Sequence, residues 1–159
     1  MKRILGLIPI LTLVGCASTY VVPKSESYSN LTLPAEESNW QFLGGSSRQS
    51  VSFGFAGENG CGTFFKEIPA KNEGDKEVTI QIPSGREIFV GFFASSGNSL
   101  CRVNVIFTAL EGADYRVEKL GSGYGCAISI FEMTKSGDNK PVALGEVKQN
   151  SLTGEVCKL

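Results

Sequence analysis

From Trp40 onwards, apolar residues recur at every second position in short runs, and turn signals break them at intervals of roughly 8 to 12 residues. Val51, Phe53 and Phe55 alternate up to Gly57-Glu58-Asn59-Gly60. A second run covers 62–68, and Asn72-Glu73-Gly74-Asp75 turns the chain into Val78, Ile80 and Ile82. After Pro83-Ser84-Gly85 the stretch 88–93 is apolar on both faces, which predicts a central strand. Ser96-Gly97-Asn98 leads into Val103, Val105 and Phe107, and Glu111-Gly112-Ala113 into Tyr115 and Val117. The Gly-rich segment 121–125 is a break before 127–133. Ser136-Gly137-Asp138-Asn139 is a turn, 142–147 a strand, and 151–157 closes the chain.

Apolar residues follow a helical period over no stretch of ten. The pattern therefore predicts an all-β fold: an antiparallel β-sandwich, Ig-like or Greek key, of about 8–10 strands. Its expected interior is Phe53, Phe55, Phe89, Phe92, Phe107 and Phe131. Leu110-x-Gly112-x-x-Tyr115 has two readings. One is a tyrosine corner, whose hydroxyl bonds back to the preceding loop. The other is a tyrosine that simply starts a strand.

The N-terminus follows another pattern. Lys2 and Arg3 precede an apolar segment over 4–13 that is interrupted by Gly6, Pro9 and Thr12. A spanning helix needs about 20 apolar residues, so this segment reads as a signal peptide. It ends in Leu13-Val14-Gly15-Cys16, which resembles the lipobox of bacterial lipoproteins. The resemblance implies diacylglycerol on the Cys16 thiol, cleavage just before it and acylation of the new amine. Ala17 rather than Asp after the cysteine implies export to the outer membrane. The alternative is an ordinary signal peptide cut after Ala17. Two or three acyl chains on Cys16 would anchor the protein stably, at about 0.8 kcal/mol per buried methylene.

Residues 16–39 are rich in Ser, Thr, Pro, Asn and Glu with little periodicity, and read as the lipidated terminus and a flexible tether. The expected organisation is thus a signal peptide over 1–15, a tether over 16–39 and one domain over 40–159.

With Cys16 lipidated, Cys61, Cys101, Cys126 and Cys157 remain. An even number in an exported protein implies two disulfides, with three possible pairings. If each strand reverses the chain, Cys101 and Cys126 begin strands at one end of the sandwich. Cys61 and Cys157 then fall at the other. Parity favours Cys101–Cys126 with Cys61–Cys157. A reduced metal site is the competing reading, but there is no C-x-x-C pair.

The 159 residues carry a formal charge of −1, and removing Lys2 and Arg3 with the signal peptide makes it about −3. Such a charge offers no basic footprint for nucleic acid. There is no histidine, which excludes Ser-His-Asp and Cys-His catalysis and histidine-ligated metals. Gly121-Ser122-Gly123-Tyr124-Gly125 lacks the following helix that a phosphate loop requires, so it reads as a turn. The acidic turns at Glu73-Gly74-Asp75 and Ser136-Gly137-Asp138-Asn139 do not have EF-hand spacing. Lys135-Ser136 sits in a turn where the lysine is solvated and protonated. Phe64-Phe65 and Phe92-Phe93 send adjacent rings to opposite faces of a strand. One ring of each pair is either a partner surface or core. No catalytic residue, metal site or cofactor is expected.

The last two thirds resemble small, largely uncharacterised envelope lipoproteins of proteobacteria. The shared residues are Ile82-Pro83-x-Gly85-Arg86, Cys101, Phe107-x-x-x-x-Gly112-x-x-Tyr115-x-Val117 and Gly125-Cys126. Such families often carry a proline shortly after the phenylalanine, and this chain has none there. The resemblance implies a β-sandwich and no particular activity. The expectation is a non-enzymatic, outer-membrane-anchored lipoprotein that holds the membrane through Cys16 and binds an envelope protein. The alternatives are an inhibitor or binding module, directed at lysozyme or a glycan, and a secretion-system lipoprotein.

Overall fold

The alternating runs form strands because one face of each can be buried while the other takes polar residues. The sequence Glu77-Val-Thr-Ile-Gln-Ile-Pro83 shows this directly: Val78, Ile80 and Ile82 are buried, and Glu77, Thr79 and Gln81 are exposed. A computed structural model describes residues 20–21, 27–41, 45–65, 74–122 and 125–159, and twelve strands lie among them. In chain order these are β1 (Tyr28–Pro34), β2 (Glu37–Gln41), β3 (Gly45–Phe55), β4 (Cys61–Gly62), β5 (Glu77–Pro83) and β6 (Glu87–Ser96). They continue with β7 (Ser99–Thr108), β8 (Asp114–Ser122), β9 (Gly125–Met133), β10 (Asn139–Pro141), β11 (Gly145–Gln149) and β12 (Val156–Lys158).

The strands form two sheets, ordered β10-β9-β8-β1-β5 and β2-β3-β6-β7-β11-β12-β4. Between them lies the main core. Leu31, Leu33, Ile82, Tyr115 and Ile130 come from the first sheet, and Phe53, Ile88, Val90, Phe92 and Phe107 from the second. Burying each such side chain contributes roughly 1.5–3 kcal/mol. The fold is an all-β sandwich. As its two-sided apolarity predicts, β6 is central, paired with β3 on one side and β7 on the other. Gly97-Asn98 forms a two-residue hairpin loop between β6 and β7, with Gly97 at φ 55°, a conformation that favours glycine there.

Several expectations are corrected. Residues 28–39 are not tether: β1 lies inside the five-stranded sheet, antiparallel to β5 and parallel to β8, and Leu31 and Leu33 are fully buried. The sandwich begins by Tyr28, and β1–β8 is a parallel pair in an otherwise antiparallel fold. Twelve strands replace the expected 8–10, because β1 and β2 join the sheets and several connections contribute strands of two or three residues. The run 142–147 is not one strand. The chain leaves the first sheet after β10 and enters the second at Gly145, with Val142 and Leu144 packed on the core between them. Phe131 is only half-buried, and Phe89 lies outside the two-sheet interior, on the opposite face of β6.

Tyr115 is a tyrosine corner. Its ring is buried against Phe107, and its hydroxyl accepts from the Leu110 amide at 2.9 Å. Burial pushes the Tyr115 phenol above its ordinary value, partly offset by that amide. Gly112, at φ 68°, makes the turn and donates its amide to the Tyr28 carbonyl, docking β1 beside the corner. Ser29 is the one buried polar residue of the described core. Its hydroxyl bonds to the Leu110 carbonyl and the Ser84 hydroxyl, so its burial leaves no polar atom unmatched.

Tyr20 is also packed on the domain. It is 7% exposed, lies 5.0–5.5 Å from the rings of Phe53, Phe55 and Phe65, and donates its hydroxyl to the Gln81 carbonyl at 2.7 Å.

Candidate functional site

Part of the outer face of the seven-stranded sheet is covered by the sheet itself. Beyond β4, Phe64 bridges to Gly54 of β3, and the Phe65 amide donates to the Phe53 carbonyl at 2.8 Å. The order β3-β6-β7-β11-β12-β4 therefore returns to β3, and six strands close a ring. Two glycines permit the closure. A Cβ at Gly54 would overlap the Thr63 carbonyl, and one at Gly62 would overlap the Phe55 carbonyl. Inside the ring, Ala56, Phe89, Ile106 and Val156 form a second core with Phe64 and Val147 packed against it.

This closure resolves the paired phenylalanines. Phe65 packs on the main core and Phe64 on the second one, while Phe92 is buried between the sheets and Phe93 points to the ring side. Each pair straddles its strand.

Above the second core the ring opens into a cavity of about 130 Å³. Ser52 of β3, Gly91 and Phe93 of β6, Arg102 and Asn104 of β7, Gln149 of β11 and Phe64 line it. Strand register puts them on one face: Gly91 is paired with Ser52 and Asn104, and Phe93 with Arg102. Gly91 is needed for space, since a Cβ there would lie 2.9 Å from the Phe64 ring and 2.8 Å from Asn104 Oδ1. Gln149 Oε1 accepts from Asn104 Nδ2 at 3.0 Å and from Arg102 Nη1 at 3.2 Å. The Arg102 guanidinium lies 5.7 Å from the Phe93 ring centroid, a cation–π distance. Ion pairs among the described residues join Glu36, Glu77, Glu87 and Glu37 to other cations, and Arg102 enters none of them.

Sequence reading does not find this cleft. Ser52, Arg102, Asn104 and Gln149 occupy the polar positions of alternating strands and read as solvated. The available signal is Gly91 inside a strand otherwise apolar on both faces, because a strand glycine marks close approach.

Of the residues that sequence reading singles out, Phe64 and Phe93 line the cleft, and the others lie elsewhere. Cys61 is bonded to Cys157, and Cys101 to Cys126, the pairing that strand parity favours. Cys61 and Cys157 face each other on β4 and β12 with Cα atoms 4.0 Å apart, and Cys101–Cys126 ties β7 of one sheet to β9 of the other at 6.1 Å. Glu155 lies near Cys61 and Cys157, but both sulfurs are consumed by their bond and are not thiolate ligands. In the 136–139 turn, Asp138 Oδ2 accepts from the Ser136 hydroxyl at 3.0 Å, and Lys135 is exposed. Segment 121–125 joins antiparallel β8 and β9, with 123–124 outside the described residues. The acidic turn over 72–75 is described only from Gly74, at φ 98°, where nothing lies within 4 Å of a Cβ position. Cys16 and the whole 1–15 segment also lie outside the described residues.

No helix among the described residues is long and apolar enough to cross a membrane. No family model matches the chain, and comparison with curated proteins and with solved structures gave no match either.

Proposed function

We propose that this chain is a lipoprotein of the bacterial envelope, anchored to the outer membrane through Cys16, with the sandwich as a non-enzymatic binding module. The observation that carries the reading is the cysteine balance. The chain has five cysteines, and four are consumed in two disulfides, which belong to an oxidising compartment. The one left over is the last residue of Leu13-Val14-Gly15-Cys16, where lipidation needs a free thiol. An envelope protein is the expected partner of the domain.

The test is expression of the full chain in a bacterium fed labelled palmitate, followed by membrane fractionation. The wild type takes up label and sediments with the outer membrane. Cys16→Ser stays unlabelled and keeps both disulfides. A wild type that is unlabelled and begins at Ser18 would overturn the reading in favour of ordinary signal-peptide cleavage. Crosslinking in intact cells then tests the binding role, and an absence of any captured envelope protein above background counts against it.

A second reading, a module that binds a small ligand, is favoured by the cleft at the mouth of the strand ring.

A further inference from the structure

We propose that the mouth of the ring is a binding site for a small carboxylate, with Arg102 as its anchor. Ring mouths are common places for ligand sites, because strands bring side chains together around a space that the core leaves unfilled. Here the second core closes the bottom of the ring, and Gly91 makes room for two lining side chains, since a Cβ there would lie 2.9 Å from the Phe64 ring and 2.8 Å from Asn104 Oδ1.

The hydrogen-bond inventory decides the ligand class. Gln149 Oε1 accepts from both Arg102 and Asn104, which uses its two lone pairs and holds both donors in place. Arg102 spends one of its N–H groups there and Asn104 one of its two, so the guanidinium fork and an amide N–H remain to serve a ligand. Ser52 contributes a hydroxyl whose one bond among the described residues, to the Gly91 carbonyl, is 3.5 Å long. The lining contains no carboxylate, and Asn104 Oδ1 is its main unspent side-chain acceptor. A site rich in donors and poor in acceptors selects a ligand that accepts. A cation finds no counter-charge, and a neutral polyol finds too few acceptors for its hydroxyls.

Among the described residues Arg102 enters no ion pair, so a carboxylate would supply the partner that these residues do not, in the bidentate geometry a guanidinium favours. The Phe93 ring beneath the guanidinium limits its rotamers, and Phe64 offers an apolar wall for the carbon atoms next to the carboxylate. About 130 Å³ accommodates several waters, or a head group of a few heavy atoms. The ligand is thus a short-chain carboxylate or the free C-terminal carboxylate of a small acylated amino acid.

The experiment uses the full chain purified in detergent. Propionate and N-acetylalanine are titrated by isotope-edited NMR, with propionamide and N-acetylalaninamide as neutral controls. Both acids are expected to bind at millimolar concentration and shift the backbone amide signals of residues 91, 102, 104 and 149, while the amides do not. Arg102→Gln is expected to weaken the acids by about ten-fold or more, the loss of a charge-assisted contact. Gly91→Ala, with both disulfides formed, is expected to abolish binding by displacing Phe64 and Asn104 from the lining. Equal shifts from acids and amides would overturn the proposal. So would undiminished affinity in folded Arg102→Gln, or acid-induced shifts confined to other residues. Should either variant fail to fold, the wild-type shift pattern and the acid-against-amide comparison decide the matter.

Discussion

Removing the two disulfides one at a time separates their contributions, and the topology sets the order. Cys61–Cys157 encloses 96 residues of sequence separation and Cys101–Cys126 only 25, with the second loop nested inside the first. Chain-entropy reasoning assigns the short loop about 3.5 kcal/mol. The long loop taken alone is worth about 4.7 kcal/mol, but the inner bond shortcuts it to an effective length of about 72 residues and about 4.4 kcal/mol. All four cysteines are half-buried, so truncating either pair to alanine carries a similar packing cost that cancels in the comparison. The expected result is that Cys61→Ala/Cys157→Ala loses more stability than Cys101→Ala/Cys126→Ala, by about 1 kcal/mol. Equilibrium urea unfolding, followed by circular dichroism, measures both from midpoint and slope. The reverse order would refute the entropic reasoning and show that the bond between the sheets contributes chiefly through the native state.

Other outcomes follow from single contacts. Tyr115→Phe strands the Leu110 amide and should cost about 1–3 kcal/mol in the same unfolding assay. Tyr115 also sets an alkaline limit, because its folded pKa is raised. Below the ordinary phenol value of about 10 both states keep the proton. Above it the unfolded chain ionises first, so stability falls until the folded phenol titrates too. Unfolding midpoints measured from pH 8 to 12 should therefore decline less steeply in Tyr115→Phe than in the wild type, and identical slopes would count against this assignment. Gly54→Ala pushes a methyl into the Thr63 carbonyl, so it should open the ring and cost about 1–3 kcal/mol, with hydrogen exchange accelerating first in β4 and β12.

The periodic centre of the chain is legible because there a strand has one apolar face and one polar face. β5, β7, β8 and β9 match that picture, β6 reads as central because both its faces are apolar, and turn residues mark the ends. β1 hides because it contributes two leucines among Ser, Asn, Thr and Pro, and its third inward position is Ser29, whose burial depends on partners 55 and 81 residues away. No local pattern encodes such bonds. The ring hides for a related reason. Polar alternation on β7 and β11 is the signature of a solvated face, and only the return of Phe64 to β3 encloses it. The pairing of the cysteines was accessible because parity tolerates misplaced ends, provided the number of reversals between cysteines is right.

Tyr20 alters how the domain stands. With acyl chains on Cys16, the lipid would sit four residue steps from a side chain locked among Phe53, Phe55 and Phe65. Four extended residues reach at most about 14 Å, whereas a flexible tether over 16–39 would average about 27 Å. On the proposed lipidation of Cys16, the expected tether would shorten to a leash at the pole of the sandwich where Tyr20 packs. That pole is the Phe55–Ile88 end of β3 and β6, and Phe93 lies about 17 Å further along β6. On the proposed lipidation of Cys16, so short a leash would hold that pole near the bilayer and leave Phe93 and Arg102, at the mouth of the ring, on its far side.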